Sequence, residues 1–169
     1  YVDVEALPED IEIPAAFVNT ALNGDEVEIA LLPKIEGKRG AGEVVKIIKR
    51  ARLEFVGVID RGENSCFLIP DDRKMYTDIF ISLSDSKNAQ SGEKALVKIT
   101  HWKDHKKNPD GKVLRILGKK GNNNVEMESI VLEKGFETSF PAEVEKEAEH
   151  LEKTEKPIHA SEIAKRVQL

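Results

Sequence analysis

The sequence predicts a mainly β chain: two tandem copies of one small five-stranded barrel, the first incomplete at its start, followed by a short helical tail. Three observations carry that prediction. The chain repeats itself at a nearly constant offset, its apolar residues fall in short runs punctuated by turn residues, and the spacing turns helical after residue 119.

The repeat has three landmarks in one order. Asp10-Ile11-Glu12-Ile13 recurs as Asp78-Ile79-Phe80-Ile81, and Ala21-Leu22-Asn23-Gly24-Asp25-Glu26-Val27 as Ala89-Gln90-Ser91-Gly92-Glu93-Lys94-Ala95, both offset by 68 positions. Gly42-Glu43-Val44-Val45-Lys46-Ile47-Ile48 recurs as Gly111-Lys112-Val113-Leu114-Arg115-Ile116-Leu117, offset by 69. By that offset Tyr1 falls opposite Ile69, so the first copy has no counterpart of the strand Glu54–Asp60. The chain is therefore expected to begin inside a domain and to be a piece of a longer protein.

In the second copy, Leu53–Asp60 alternates Phe55, Gly57 and Ile59 against Val56 and Val58, and Arg61-Gly62-Glu63-Asn64 turns it. Cys66–Ile69 is the second strand, stopped by Pro70-Asp71-Asp72; Asp78–Ser82 is the third, Ala95–Thr100 the fourth and Val113–Leu117 the fifth. The first copy supplies the remnant Val2–Val4, then Ile11–Ile13, Val27–Leu31 and Glu43–Ile48. Strands so short and evenly spaced predict small OB-type barrels. Lys119–Asn123 reads as a linker. Asn124 is the expected cap of a helix Val125–Lys134 ended by Gly135, Ser139 with Pro141 opens a second helix to Lys153, and Ser161 a third. In the second helix Val144, Ala148 and Leu151 make one narrow apolar stripe among many glutamates. The domains read as 1–50, 52–118 and a 119–169 tail.

A net charge of −5 argues against a wholesale polyanion binder, yet the charge is uneven. Residues 52–118 carry 12 basic and 10 acidic side chains, whereas both flanking segments are net acidic. Lys103, Lys106, Lys107 and Lys112 fall close to His101, Trp102 and His105. Cys66 is the lone cysteine, so no internal disulfide or cysteine cluster can form, and a reducing cytoplasm is the default expectation. No apolar run approaches the ~20 residues that span a bilayer, so no membrane partner is expected.

Strand alternation puts Ile79 and Ile81 on one face and Phe80 on the other. If the isoleucines fill the barrel, Phe80 faces outward with Phe67 beside it on the neighbouring strand, a platform on which bases can stack. Arg73, Lys74, Tyr76, Lys103, Lys106 and Lys107 are the candidate phosphate and base contacts around it. The competing reading has both rings in the core, since a one-residue slip inverts every side chain. No catalytic residue is identified. Cys66 sits within a strand, the histidines lack partners at metal-ligand spacing, no Asp follows Asp110, and Glu143, Glu145, Glu147 and Glu149 lie on a solvated helix.

The series Gly57-Val58, Cys66-Phe67-Leu68-Ile69-Pro70-Asp71-Asp72, Asp78-Ile79-Phe80-Ile81, Gly92 and Gly111-Lys112-Val113 resembles a cold-shock domain. Over essentially its whole length the chain resembles the amino-terminal half of the bacterial ribonuclease R group within the RNase II family of processive 3′-to-5′ exoribonucleases. Leu117-Gly118, the Met127–Lys134 helix and Phe140-Pro141-Ala142-Glu143-Val144 resemble the start of the nuclease domain. The resemblance implies two cold-shock/OB barrels, RNA as partner along with the remaining nuclease domain of the same chain, and Mg²⁺ chemistry in the full-length enzyme. This fragment is expected to hold no cofactor and to be inactive alone. It departs from the cold-shock pattern at Ser65 and Ser82, where an aromatic residue and a histidine are usual. Glu12 stands where the second copy has Phe80, so the second copy is expected to bind RNA better. A tandem cold-shock RNA chaperone without nuclease, and an OB scaffold that binds protein, are the alternatives.

Overall fold

A computed structural model describes residues 1–4, 7–34, 37, 39–136 and 142–154. The chain forms two compact units, Tyr1–Gly135 and Phe136–Leu169. In the second, the described element is the helix α2 (Ala142–Thr154), with Glu143 and Glu145 in its first turn, where they complement the positive end of the helix dipole. Val144 and Leu151 of its narrow stripe are exposed. The expected caps Ser139 and Pro141, and the third helix from Ser161, lie outside the described residues.

The first unit contains the two copies. In the second copy, strands β3 (Glu54–Arg61), β4 (Cys66–Pro70), β5 (Ile79–Ile81), β6 (Glu93–His101) and β7 (Asp110–Lys119) close a barrel in the order β3-β4-β5-β7-β6. All neighbours are antiparallel except β5 and β7. The inward set is Phe55, Ile59, Cys66, Leu68, Ile79, Ile81, Ala95, Val97, Ile99 and Val113, all buried. Each large aliphatic side chain there contributes about 1.5–3 kcal/mol by leaving water. Cys66 is fully buried, and burial pushes its thiol pKa up, opposed by the Arg61 charge and reinforced by Asp60. It is a core residue.

The first copy contributes β1 (Glu26–Leu31) paired with β2 (Gly42–Lys49), plus single bridges from Val2 to Ile11 and from Glu12 to Ala41. Among its described residues, the buried large apolar side chains are Ile11 and Val44. The copies agree in backbone detail. Glu12 bridges Ala41 in parallel, as Phe80 pairs with Asp110. The Glu12 N–H donates to the Gly40 carbonyl at 2.9 Å, and the Phe80 N–H to the Pro109 carbonyl at 2.8 Å. One-turn 3₁₀ helices occupy Ala15–Phe17 and Leu83–Asp85. Asn19 and Lys87 both take positive φ, 56° and 50°. The Leu22 N–H donates to Asp25 Oδ2 as the Gln90 N–H donates to Glu93 Oε2. Gly42 and Gly111 are crowded alike: a Cβ on Gly42 would lie 3.0 Å from Ile11 Cγ2, and one on Gly111 2.5 Å from Ile79 Cγ2.

The stretch read as a linker is a short turn. β7 runs to Lys119 and α1 (Asn123–Glu133) starts four residues later. The cap is Asn122 rather than Asn124: its side chain accepts the Asn124 N–H at 3.0 Å. Three consecutive asparagines each offer a suitable side chain, and sequence alone does not separate them. Gly135, at φ 78°, follows the helix end as expected. α1 packs on β3, β6 and β7. Lys94, almost fully buried on β6, bonds to Asp71 at 2.8 Å and to Glu126 of α1 at 2.5 Å. Burial alone would lower the Lys94 pKa, but the two carboxylates outweigh it and raise it. The Lys94 hydrogen bond, with help from the Gly121 N–H, holds the Glu126 carboxyl below its ordinary value. Arg115 pairs with Glu128 at 2.8 Å, and Arg52 joins Asp72 and the Glu133 carbonyl.

Candidate nucleic-acid interface

The register of β4 and β5 decides where the aromatic rings go. Cys66 and Leu68, with Ile79 and Ile81, are fully buried, so the intervening Phe67 and Phe80 point out of the barrel. They are direct cross-strand partners, with ring centroids 5.6 Å apart at 67°. Both rings are partly exposed. The inverted register, with both rings in the core, is excluded.

The loop between β6 and β7 meets the strand that carries Phe80 at its far end. It is tied down by its own side chains. Asp104 Oδ1 accepts the Lys106 N–H at 2.9 Å, the Asp104 carbonyl accepts the Lys107 N–H at 3.0 Å, and Trp102 Nε1 donates to the Lys107 carbonyl at 3.0 Å. At its far end Asn108 Nδ2 donates to the Asp78 carbonyl at 2.9 Å, and the Pro109 carbonyl receives the Phe80 N–H. The loop is thereby stitched to the strand that carries Phe80. Lys103, Lys106 and Lys107 are exposed on it. Asp104, the acid that would offset them, is turned toward loop backbone.

The remaining candidates lie elsewhere. Tyr76 packs against Trp102, with centroids 5.8 Å apart, and its hydroxyl donates to the Asn19 carbonyl of the first copy at 3.4 Å. Burial raises the Tyr76 pKa, with Arg50 opposing and Asp25 adding to the rise. Lys74 lines a cleft of about 320 Å³ together with Leu22, Asn23, Arg52, Phe55 and Glu133. Both residues therefore sit at the seam between the copies, not beside Phe67 and Phe80. Arg73 is exposed on the segment leading to β5.

The seam has an organiser that sequence reasoning missed. Arg50 donates to Asp25 Oδ2 at 2.7 Å and to the Thr20 carbonyl at 2.5 Å, and its guanidinium lies 5.6 Å from the Trp102 ring centroid. The Asp25 side chain is 1% exposed. Nothing in the local sequence marks an Arg 25 residues from its carboxylate. The Asn108 stitch did leave a signal, Asn-Pro just before a strand. Among the described residues, no three His, Cys, Asp or Glu side chains converge as a metal site. None of the described helices is long and apolar enough to cross a membrane.

The Cold shock domain family matches residues 67–141, from β4 through α1 and beyond. Among curated proteins, the chain is 28% identical over 141 residues to ribonuclease R of Aquifex aeolicus and 27% over 142 residues to that of Thermotoga maritima. Each match covers 83% of this chain and 20% of the relative, so the chain spans about a fifth of the length of the curated relatives it matches. Among solved structures, the apo form of Mycoplasma genitalium RNase R superposes with a TM-score of 0.71 at 22% identity, covering 87% of this chain and 23% of that one. The same protein in complex with ribose-methylated single-stranded RNA gives the same values. Yeast Ssd1, described as a pseudonuclease, gives 0.67 at 20% identity over 78% of this chain and 22% of its own. The shared fold is that of these proteins.

Proposed function

We propose, for a chain that matches a segment of ribonuclease R in sequence and carries a cold-shock barrel in its fold, an RNA-capturing and non-catalytic role within a processive 3′-to-5′ exoribonuclease of the bacterial cytoplasm. The observation that carries this reading is the outward Phe67–Phe80 pair, with the lysine-bearing loop stitched at its end to the strand of Phe80. Bases stack on the rings while Lys103, Lys106 and Lys107 neutralise phosphates. Such binding tolerates any sequence in its stacking part and weakens with salt in its ionic part. RNA complexes of the Mycoplasma genitalium protein, single- and double-stranded, support RNA as the partner.

Hydrolysis in this reading belongs to a Mg²⁺-dependent domain in the rest of the longer protein. The described residues offer no carboxylate cluster that fits such an ion, and no catalytic step is assigned to them. A second reading, RNA binding without any nuclease, is favoured by the likeness to a pseudonuclease.

Fluorescence anisotropy with a labelled single-stranded RNA of about a dozen nucleotides tests the proposal, at low and moderate salt with Mg²⁺ present. The expected result is salt-sensitive binding that leaves the RNA intact. No binding at low salt overturns it in favour of a protein-binding scaffold, and cleavage by this chain overturns its non-catalytic role.

A further inference from the structure

Resting on that RNA-binding reading, we infer that the stacking platform discriminates among bases, and that Asp60 and Asp110 do the discriminating. The strand register puts four outward residues in one row across the barrel. Asp60 of β3 is the partner of Phe67, Phe67 of Phe80, and Phe80 of Asp110 of β7. Their inward neighbours confirm the facing: Ile59 is buried beside Asp60, and Gly111 is buried beside Asp110. Adjacent strands lie about 4.8 Å apart, so each carboxylate stands one strand from a ring. Both aspartates are exposed.

The rings stand at 67° to each other, so at most one lies along the sheet, and a base stacked on that ring presents its edge toward the carboxylate one strand away. An ionised carboxylate only accepts hydrogen bonds. Cytosine and adenine offer exocyclic amino groups, and cytosine N4 to Asp is a pairing expected from donor–acceptor geometry. Uracil has no amino group and offers on that edge only its N3–H, flanked by the O2 and O4 carbonyls that an acceptor repels. The same carboxylates repel phosphate, so the backbone is steered off the row and toward the lysine loop. The row thus admits bases, excludes phosphates, and favours amino-bearing bases over uracil.

The test compares oligo-C and oligo-U dodecamers by anisotropy with the whole 169-residue chain at one low salt concentration, the double variant serving as the control for their unequal stacking. The expected result is oligo-C bound about tenfold tighter than oligo-U. In the Asp60→Ala/Asp110→Ala double variant the preference falls to near unity while oligo-U binding strengthens, because removing negative charge helps every RNA. The ratio, not the affinity, is therefore the readout. Asp110→Asn supplies an amide N–H and is expected to recover uracil selectively. Equal binding of the two oligomers by the unaltered chain overturns the inference, as does a preference that survives the double variant. If neither oligomer binds even at low salt, the RNA reading itself falls and takes this inference with it.

Discussion

Phe80 and Glu12 occupy equivalent backbone positions, each donating its N–H to the residue before the next bridged strand position. What differs is chemistry at the side chain, and that difference sets the expected contrast between the copies. Phe80→Ala should weaken single-stranded RNA binding by about 1–3 kcal/mol, and Phe67→Ala by a similar amount, in an anisotropy titration. Glu12→Ala should leave affinity unchanged or slightly higher. A loss on Glu12→Ala with none on Phe80→Ala would assign RNA to the first copy. Lys94 is a second residue whose role is local. Replacing it by Met removes the charge that joins Asp71 and Glu126, and is expected to cost about 1–3 kcal/mol in chemical denaturation, moderated because both carboxylates reach water. The pH dependence has a definite sign. Glu126 titrates lower in the folded protein than its ordinary 4.5, so its contribution is complete above that pH and is lost as pH falls through the depressed value. Lys94 titrates higher, so its contribution is complete below its ordinary 10.5 and is lost only in strong alkali. The stability gap between the unaltered chain and Lys94→Met should be flat through neutrality and shrink in acid.

At the level of elements, the loop of residues 102–109 carries the ionic part of the proposed interface. Substituting Lys103, Lys106 and Lys107 together by Ala should reduce the slope of log affinity against log salt by up to about 0.7 for each phosphate no longer neutralised, with stacking retained. An unchanged slope would move the phosphate track to another part of the barrel. Elements were also where the sequence was most legible. Cys66, Leu68, Ile79 and Ile81 alternate cleanly, so the facing of β4 and β5 could be read from period two, whereas in β3 Val56 is buried along with Phe55 and Ile59. Phe67 and Phe80 followed from that register. Tyr76 and Lys74 could not be placed the same way, because they belong to the irregular segment between β4 and β5, where Tyr76 packs on Trp102 and reaches the Asn19 carbonyl of the first copy. Long-range pairs of that kind leave no periodic trace. The asparagine cap was misplaced for a different reason: three adjacent residues of one type each satisfy the rule, and only the turn after β7 selects among them.

For the whole molecule, the two copies share one backbone plan but not one stability. The second is a closed barrel with a continuous core, whereas the described part of the first is a two-stranded sheet with isolated bridges. Arg50 knits Thr20 and Asp25 together within the first copy and touches the second through the Trp102 ring. Arg50→Ala leaves the Asp25 carboxylate, 1% exposed, with only backbone donors, and should destabilise the chain by about 2–4 kcal/mol. The loss is expected to appear first as faster proteolysis within residues 1–50. Uniform loss of protection across both copies would mean that they unfold as one unit. Gly111→Ala addresses the barrel instead. Its Cβ would press on Ile79 and Val97 in the core, so a loss of about 2–3 kcal/mol and a weakened platform should appear together.

The parallel pairing of β5 with β7 has a consequence for how this molecule comes into being. β5 is three residues long, and its second edge pairs with Asp110 and Gly111 and bonds to the Pro109 carbonyl, some thirty positions later. A chain emerging from the ribosome amino terminus first holds Phe67 and Phe80 on an open, unclosed sheet until β7 has followed. Closing over so long an intervening segment is entropically expensive and slow relative to hairpin formation. During that interval two aromatic rings and an unpaired strand edge face the crowded surroundings of synthesis. Competence to hold RNA is therefore the last property the barrel acquires, and the period before it is when the nascent chain is most exposed to misassociation.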